Sequence, residues 1–544
     1  MEKITLLFQI ILIIGNELFA GSQKSPHTFL FCLKPEIQPL KISLNRGQPS
    51  VGMKELDDFI KEHDIIRIEP WIKSATEIDR DGDIYLNRIY RVYLDNNRSV
   101  INDNPIASLQ DFLFILYAEP EYLRKPYYTP NDPRYSNQCS QEAVKADLAW
   151  DYWDIENGEF PGDENILLAS VDTGVDYTHP DLIDNIWVNH GEFIGNTLIN
   201  DLFSVIDSNE NNIISAPEIS SFMASQGSSG DLNNDGISNL QDALLQGSPF
   251  IDGLDNDDNG YVDDLIGWDA SGISGISDND PFPRTGTGVL NDEGWAHGTH
   301  VAGILAAVTN NAIGIASSVF NGKILSVKCA RENGDDINDP QIHDGYDAIT
   351  YAAQAACPDL QEECQFRTII NCSWGGVSAN TLENAVINNA YNTYGAIIVA
   401  AAGNGNENDN VAEYAMHYPA SYDNVVSVCN VKCSYNTVSV FTYHTSVDLA
   451  APGDNIYSTI IGDGYQSWDG SSMSSPNAAS VMGMLWSKYP QWSKEDVIET
   501  TLITADSSIY DINPTYIDCN GNDGQYCLGA GMVDARKAIA KDFS

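Results

Sequence analysis

Short, wholly apolar runs alternate with apolar segments of helical period through most of this chain. Ile166–Val171 and 396–401 read as buried strands, and each ends in a polar turn, Asp172-Thr173-Gly174 after the first and Gly403-Asn404 after the second. The segment 476–489, PNAASVMGMLWSKY, is apolar at helical spacing and begins just beyond Ser472, while His297 stands at the head of another apolar helix. Between Asp172 and His297, Ile199, Leu202, Phe203 and Ile206 recur at helical spacing, as do Ile219, Phe222 and Met223, so two helices should flank the polar loop between them. Residues 21–126 pattern differently, as mixed strand and helix, with a helix from Met53 to His63 and a strand from Ile84 to Tyr93.

With 544 residues, 43% of them apolar, the chain is long enough for two or three domains with a large core. Its net charge of −49 argues against nucleic acid and against adsorption to anionic lipid, both of which need clustered Lys and Arg. Residues 1–20 carry Lys3, an apolar run from Ile4 to Ile14 broken only by Gln9, and then Ala20-Gly21-Ser22, the pattern of a secretory signal peptide cut near Ala20. A membrane anchor is the alternative, but the run is too short to span a bilayer and no other stretch reaches that length. The expected product is exported, either secreted or held in the lumen of the secretory or vacuolar pathway, with no membrane anchor.

The polar residues at the ends of the apolar elements carry the chemistry. A bare serine is a poor nucleophile and needs a base, an acid that orients the base, and donors for an oxyanion. Ser472 lies among small residues, Gly470-Ser471-Ser472-Met473-Ser474-Ser475-Pro476, at a helix start whose positive end favours a developing negative charge. Asp172 is placed at a strand end to orient an imidazole, His297 offers the imidazole, and Asn404 offers an amide donor. Singly, each has a plain reading as an N-cap, a core or surface histidine, or a turn. Their joint occurrence in the order Asp, His, Asn, Ser is what points to nucleophilic catalysis.

That order, and the motifs around it, resemble the subtilisin-like serine proteases over about residues 127–544. VDTGVDYTHPDL around Asp172 and HGTHVAGILAA from His297 resemble the family's aspartate and histidine motifs. NCSWGG at 371–376, AAAGN at 400–404, YPASYDNVVSV at 418–428 and VDLAAPGDNIYST at 447–459 are further matches. The resemblance implies an α/β fold with a mainly parallel sheet sandwiched by helices, and an endopeptidase acting on protein or peptide substrates as a monomer. It implies Asp172, His297 and Ser472 as the triad, Asn404 as an oxyanion donor, and Ser373, Trp374, Gly375 and Gly403 as the backbone against which an extended substrate pairs. It departs from the family at Asn477 (usually His), Ser480 (usually Gly) and 317–320, Ser-Ser-Val-Phe. Residues 21–126 would then be an α+β propeptide that inhibits the protease until cut between about Tyr122 and Tyr128, a permanent accessory domain being the alternative. A reading of a different class is a catalytically silent, calcium-dependent binding protein on the same fold.

Calcium enters through the segment between Asp172 and His297, with a true insertion at about 194–251. Asp207, Asn209, Asn211, Ser215 and Glu218 have the spacing of positions 1, 3, 5, 9 and 12 of an EF-hand loop. Asp231, Asn233, Asp235, Asn239 and Asp242 repeat it, with Asp in place of the final Glu, and resemble dockerin loops equally well. A third cluster, Asp255, Asp257, Asn259 and Asp263, looks like a loop that many relatives carry there. The resemblance alone implies a fourth site from Asp132, Asp181 and Asn311. Of ten cysteines, Cys32 lies in the presumed propeptide and at least one of the rest is left over; Cys357 with Cys364 and Cys519 with Cys527 bracket short loops and are the favoured bridges. Cys429 and Cys433, on an extended strand, would lie about 13 Å apart, beyond disulfide reach.

Overall fold

Every residue of the strand Ile166–Asp172 is buried, because both faces of the sheet it belongs to are covered. A computed structural model of the chain describes residues 24–541, apart from 46, 96, 101–103, 123–127, 274, 284–292, 332–339, 358–363, 365, 407–409 and 520–523. The expected signal peptide and the expected cleavage region within 123–127 lie outside the described residues. The chain divides into two compact units, 1–126 and 127–544.

The larger unit is built on an eight-stranded sheet in the order Ile276–Asp278, Gly267–Ile273, Lys323–Lys328, Ile166–Asp172, Arg367–Cys372, Ile397–Ala401, Val425–Val431, Leu449–Pro452. All neighbours run parallel except the first pair. Alternate residues face opposite sides, as the two-residue period of a strand dictates. Ile166 and Leu168 pack with the helices Glu293–Ala306 and Ser471–Lys488, whereas Leu167, Ala169 and Val171 pack with Gly345–Ala355 and Thr381–Asn392. The fold is thus α/β, a mainly parallel sheet sandwiched by helices.

Within 194–251 the chain forms the helices Thr197–Ile206 and Ala216–Ser225 around the first acidic loop, and a short helix, Leu240–Ala243, after the second. The segment is no separate module. Ile199, Ile206, Ile214, Ile219, Phe222 and Phe250 share one core with Leu182, Ile186, Trp295 and Leu305.

The smaller unit has a four-stranded antiparallel sheet, Ile65–Pro70, Ile89–Leu94, Lys24–Leu33, Ile115–Tyr122, packed with the helices Lys54–Glu62 and Pro105–Gln110. The strand expected over 84–93 is broken. Ile84–Tyr85 pairs locally and a 3-10 turn, Leu86–Arg88, intervenes, because Arg88 turns inward to donate to the Ile37 carbonyl at 2.7 Å and to Glu77 at 2.9 Å. Disulfides join Cys139 to Cys433, Cys357 to Cys364 and Cys519 to Cys527, while Cys32, Cys329, Cys372 and Cys429 are free and buried. Among the described residues no helix is long and apolar enough to cross a membrane.

Candidate active site

Asp172 ends its strand beside Lys328, so its carboxylate emerges at the C-terminal edge of the sheet, where open α/β sheets place their ligand crevices. His297 is the fifth residue of the helix Glu293–Ala306. The two elements can approach because residue 298 is glycine: a Cβ there would stand 2.3 Å from the Gly174 carbonyl oxygen and 3.0 Å from Asp172 Cβ. His297 Nδ1 lies 2.7 Å from Asp172 Oδ1, an oxygen that also accepts the Thr173 N–H at 2.8 Å. The carboxylate is 2% exposed and the imidazole 22%. An anion held at Nδ1 keeps the proton on that nitrogen and leaves Nε2 as the acceptor.

Ser472 is the second residue of the helix Ser471–Lys488. Pro476, four residues on, has no N–H for the Ser472 carbonyl, and Ser373 Oγ donates to that carbonyl instead, at 2.8 Å. Ser472 Oγ in turn donates to the Ser373 carbonyl at 3.0 Å. Asn404 Oδ1 accepts both the N–H and the Oγ–H of Ser471 at 2.9 Å, so Nδ2 is the end of this amide left for a ligand. Gly403, at φ +111°, turns the chain under the His417 ring, which a Cβ would meet at 2.9 Å. Together Ser373, Trp374, Gly375, Gly403, Asn404 and Ser472 line a cleft of about 500 Å³. Gly376 pairs with Tyr418 in both directions, at 2.9 and 2.7 Å, and so ties the segment 373–376 to the one carrying His417. Trp374 is anchored by its indole N–H on the Val171 carbonyl at 2.8 Å. His300 is pushed down to about 3 by burial and stacks on Trp468, a packing residue despite its place in the histidine motif.

Residues 163–528 match the profile of the subtilase family. The chain belongs to that family. It is 31% identical over 390 residues to a thermophilic serine proteinase of Bacillus sp. (strain AK1), covering 71% of this chain and 65% of that one. It is 30% identical over 362 residues to thermitase of Thermoactinomyces vulgaris, covering 66% and 86%. With the halolysin-like extracellular serine protease Nep of Natrialba magadii it shares 27% identity over 428 residues, covering 79% and 56%. The chain therefore spans somewhat less than two thirds of the first of these relatives. It carries the domain that defines the subtilases.

The departures from the subtilase motifs are accommodated locally. Asn477 is buried and donates to the carbonyls of Pro452 at 3.1 Å and Met473 at 2.9 Å. Ser317 and Ser318 bond the Ala307 carbonyl and Gln141, whereas among the described residues nothing partners the buried Ser480 hydroxyl.

The acidic residues separate into distinct clusters. In the first loop Asp207 accepts the N–H groups of Asn211 and Asn212 at 3.1 and 2.9 Å. Asn209 and Asn211 accept those of Asn211 and Ile213, and Glu218 accepts those of Ser208, Asn209 and Ser215. Asn212 takes the left-handed conformation the turn requires, at φ 66°. In the second loop Asp242 accepts from Leu232, Asn233 and Asn239, Asp231 from Gly236, Asp235 from Ile237 and Asn233 from Asp235; Asp231 Oδ1 is buried with no partner. At the third cluster the grouping differs from the expected one. Asp255 and Asp257 gather with Glu192, their carboxylate oxygens within 4.8 Å of one another, while Asp263 turns to accept the N–H groups of Asp252 and Gly253. Asn259 bonds Asp257 at 3.3 Å and Asp264 at 3.2 Å. Glu192 is 2% exposed, neither of its carboxylate oxygens accepts a hydrogen bond among the described residues, and its acidity is driven well down by burial and by the facing Asp264 and Asp257. An orphaned buried carboxylate beside two others is the donor set of a hard divalent cation. At the fourth cluster Asp181, fully buried and pushed up to about 7 by that burial, accepts from the Asn311 amide at 3.0 Å, and Asp132 accepts the Asn310 and Asn311 N–H groups.

Proposed function

We propose that this protein is an exported, calcium-stabilised serine endopeptidase made as a zymogen. The observation that carries the reading is the 2.7 Å bond between His297 and the buried Asp172, taken with the cleft that Ser472 and Asn404 line. In this reading the Ser472 hydroxyl swings from the Ser373 carbonyl toward His297, gives its proton to Nε2 and attacks the scissile carbonyl carbon. The carbonyl oxygen becomes an oxyanion that takes hydrogen bonds from Asn404 Nδ2 and the Ser472 N–H, the latter at a positive helix end. His297 then gives the proton to the departing amine as the C–N bond breaks. Water, deprotonated by the same imidazole, hydrolyses the acyl-serine and restores the Ser472 hydroxyl. Asp172 holds the imidazole tautomer throughout and stabilises its charged form. An extended substrate would add as a strand along 373–375.

Calcium would be held by Glu192, Asp255 and Asp257, by Asp132, Asp181 and Asn311, and by the loops at 207–218 and 231–242, where it neutralises crowded carboxylates and ties surface loops to the core. Residues 21–126 act as an inhibitory propeptide, and residues 1–20 direct export, a reading in keeping with a relative named as extracellular. Ser472→Ala tests the proposal. It should abolish peptide hydrolysis and also the release of residues up to about 126, and hydrolysis that survives the change overturns the reading.

A further inference from the structure

The cleft lined by Ser472 holds a group that peptide hydrolysis does not use. Glu413 lines it, on the short strand Glu413–Tyr414 that pairs with Thr442–Tyr443. The backbone N–H of Glu413 is bonded to the Phe441 carbonyl at 2.9 Å, but among the described residues no donor or cation meets its carboxylate. Glu413 is also the one formal charge among the described residues that line the cleft. The neighbouring ionisable side chain is His417. Burial lowers its basicity against the pull of Glu413, and its Nε2 is enclosed without a partner, so it supplies no standing positive charge to offset the acid. The same cleft is lined by Ala401, Gly403 and Gly405, which put almost no side chain into it, and by the largely apolar Trp374 and Val377. A side chain with a long methylene stem and a cationic tip suits such a lining, the stem against the apolar residues and the tip at the carboxylate.

We infer that Glu413 is a specificity-determining residue that selects a lysine or arginine side chain immediately before the scissile bond. The inference rests on the endopeptidase reading and names the substrate class of the same cleft. An unpaired carboxylate in a partly desolvated pocket is an incomplete ion pair that a basic substrate completes. A neutral or acidic residue leaves it uncompensated, and that difference, rather than attraction alone, sets the preference. Serine proteases of another fold select basic residues with an acid in the corresponding pocket.

The test uses peptide p-nitroanilides that differ only in the residue before the scissile bond, with Lys, Arg, Phe, Leu or Glu there. The quantity read is the ratio of kcat/KM for Lys over Phe within one preparation, which cancels any loss of folded enzyme. The full-length protein after propeptide release should favour Lys and Arg, and Glu413→Gln should lower the Lys-to-Phe ratio by about 10–10²-fold, the effect of removing one partner of a partly buried charge pair. Glu413→Lys should invert the order and raise Glu above Lys. A wild-type preference for Phe or Leu, or a ratio unmoved in both variants, overturns the inference while leaving the endopeptidase reading intact. Hydrolysis of none of the peptides overturns that reading, and this inference with it.

Discussion

Replacing Glu192 by glutamine should push the calcium-loaded and calcium-free proteins in opposite directions. In the metal-free protein three carboxylates lie with oxygens no more than 4.8 Å apart. At an effective dielectric of about 20, two unit charges at that distance repel by roughly 3.5 kcal/mol. Glu192 takes part in two of the three pairs, so with all three groups ionised its charge would cost at least roughly 7 kcal/mol of repulsion on the same scale. That repulsion is not borne in full, because a crowded carboxyl takes up a proton instead, and a gain of about 1–3 kcal/mol in chelator is the expectation. With calcium the sign reverses, since the same oxygens accept no hydrogen bond among the described residues and the glutamine amide offers one neutral oxygen where there were two charged ones. The assay is calorimetric melting of the full-length Ser472→Ala protein, which cannot digest itself, with and without Glu192→Gln, in millimolar calcium and in EDTA. Binding to the folded state alone adds stability by mass action, so the calcium-induced rise in Tm should shrink by several degrees while the EDTA Tm holds or rises. An equal fall in both conditions would show that Glu192 is an ordinary packed residue and would refute the cation site.

Asn404→Ala should lower kcat by about 10²–10³-fold with KM little changed, as removal of an oxyanion donor does; rates near wild type would mean that Nδ2 does not face the reacting carbonyl. Asp207→Ala with Asp231→Ala should remove a weak class of calcium sites, with dissociation constants of about 10⁻⁴–10⁻³ M, leaving tighter binding in place; unchanged binding heat in titration calorimetry contradicts this. Asp448, whose carboxylate accepts the Ser427 N–H at 2.8 Å, is pushed up to about 6 by burial. Its unfolded value is about 3.9, so the stability it confers is complete below pH 4 and is lost as pH rises through 6. Asp448→Asn in the Ser472→Ala background should therefore be near neutral at pH 4 and stabilising by about 1–2 kcal/mol at pH 8 in denaturant unfolding, and a pH-independent difference refutes the assignment.

Much of the site was legible because its residues sit at the ends of strongly patterned elements. The runs at 166–171 and 396–401 are apolar on both faces, so their strands and the polar turns that follow could be read directly, and the helix behind Ser472 announces itself in the same way. What escaped the sequence depends on contacts between distant segments. Glu192 lies in no motif and joins Asp255 and Asp257 only through folding, whereas Asp263, which has the right spacing, is drawn off by the free N–H groups at 252–253. The segment 194–251 reads as an insertion, yet its apolar residues continue the main core. The break at 86–88 follows from a buried arginine, whose partners Ile37 and Glu77 no local pattern identifies. Cys433 was rightly kept from Cys429 by strand geometry, but its partner Cys139 lies 294 residues away and could not be named.

The central claim, that Ser472 is a nucleophile activated by His297 and Asp172, is tested most directly by covalent labelling. The full-length protein, its propeptide released, is treated with a fluorophosphonate and the adduct is located by mass spectrometry. The account predicts one adduct, on Ser472 Oγ, absent from Ser472→Ala and strongly slowed in His297→Ala and Asp172→Asn, whose folds are checked by circular dichroism. Labelling of a different residue, or no labelling of a folded wild-type protein, would contradict it and would favour a silent calcium-dependent binding protein on the same fold.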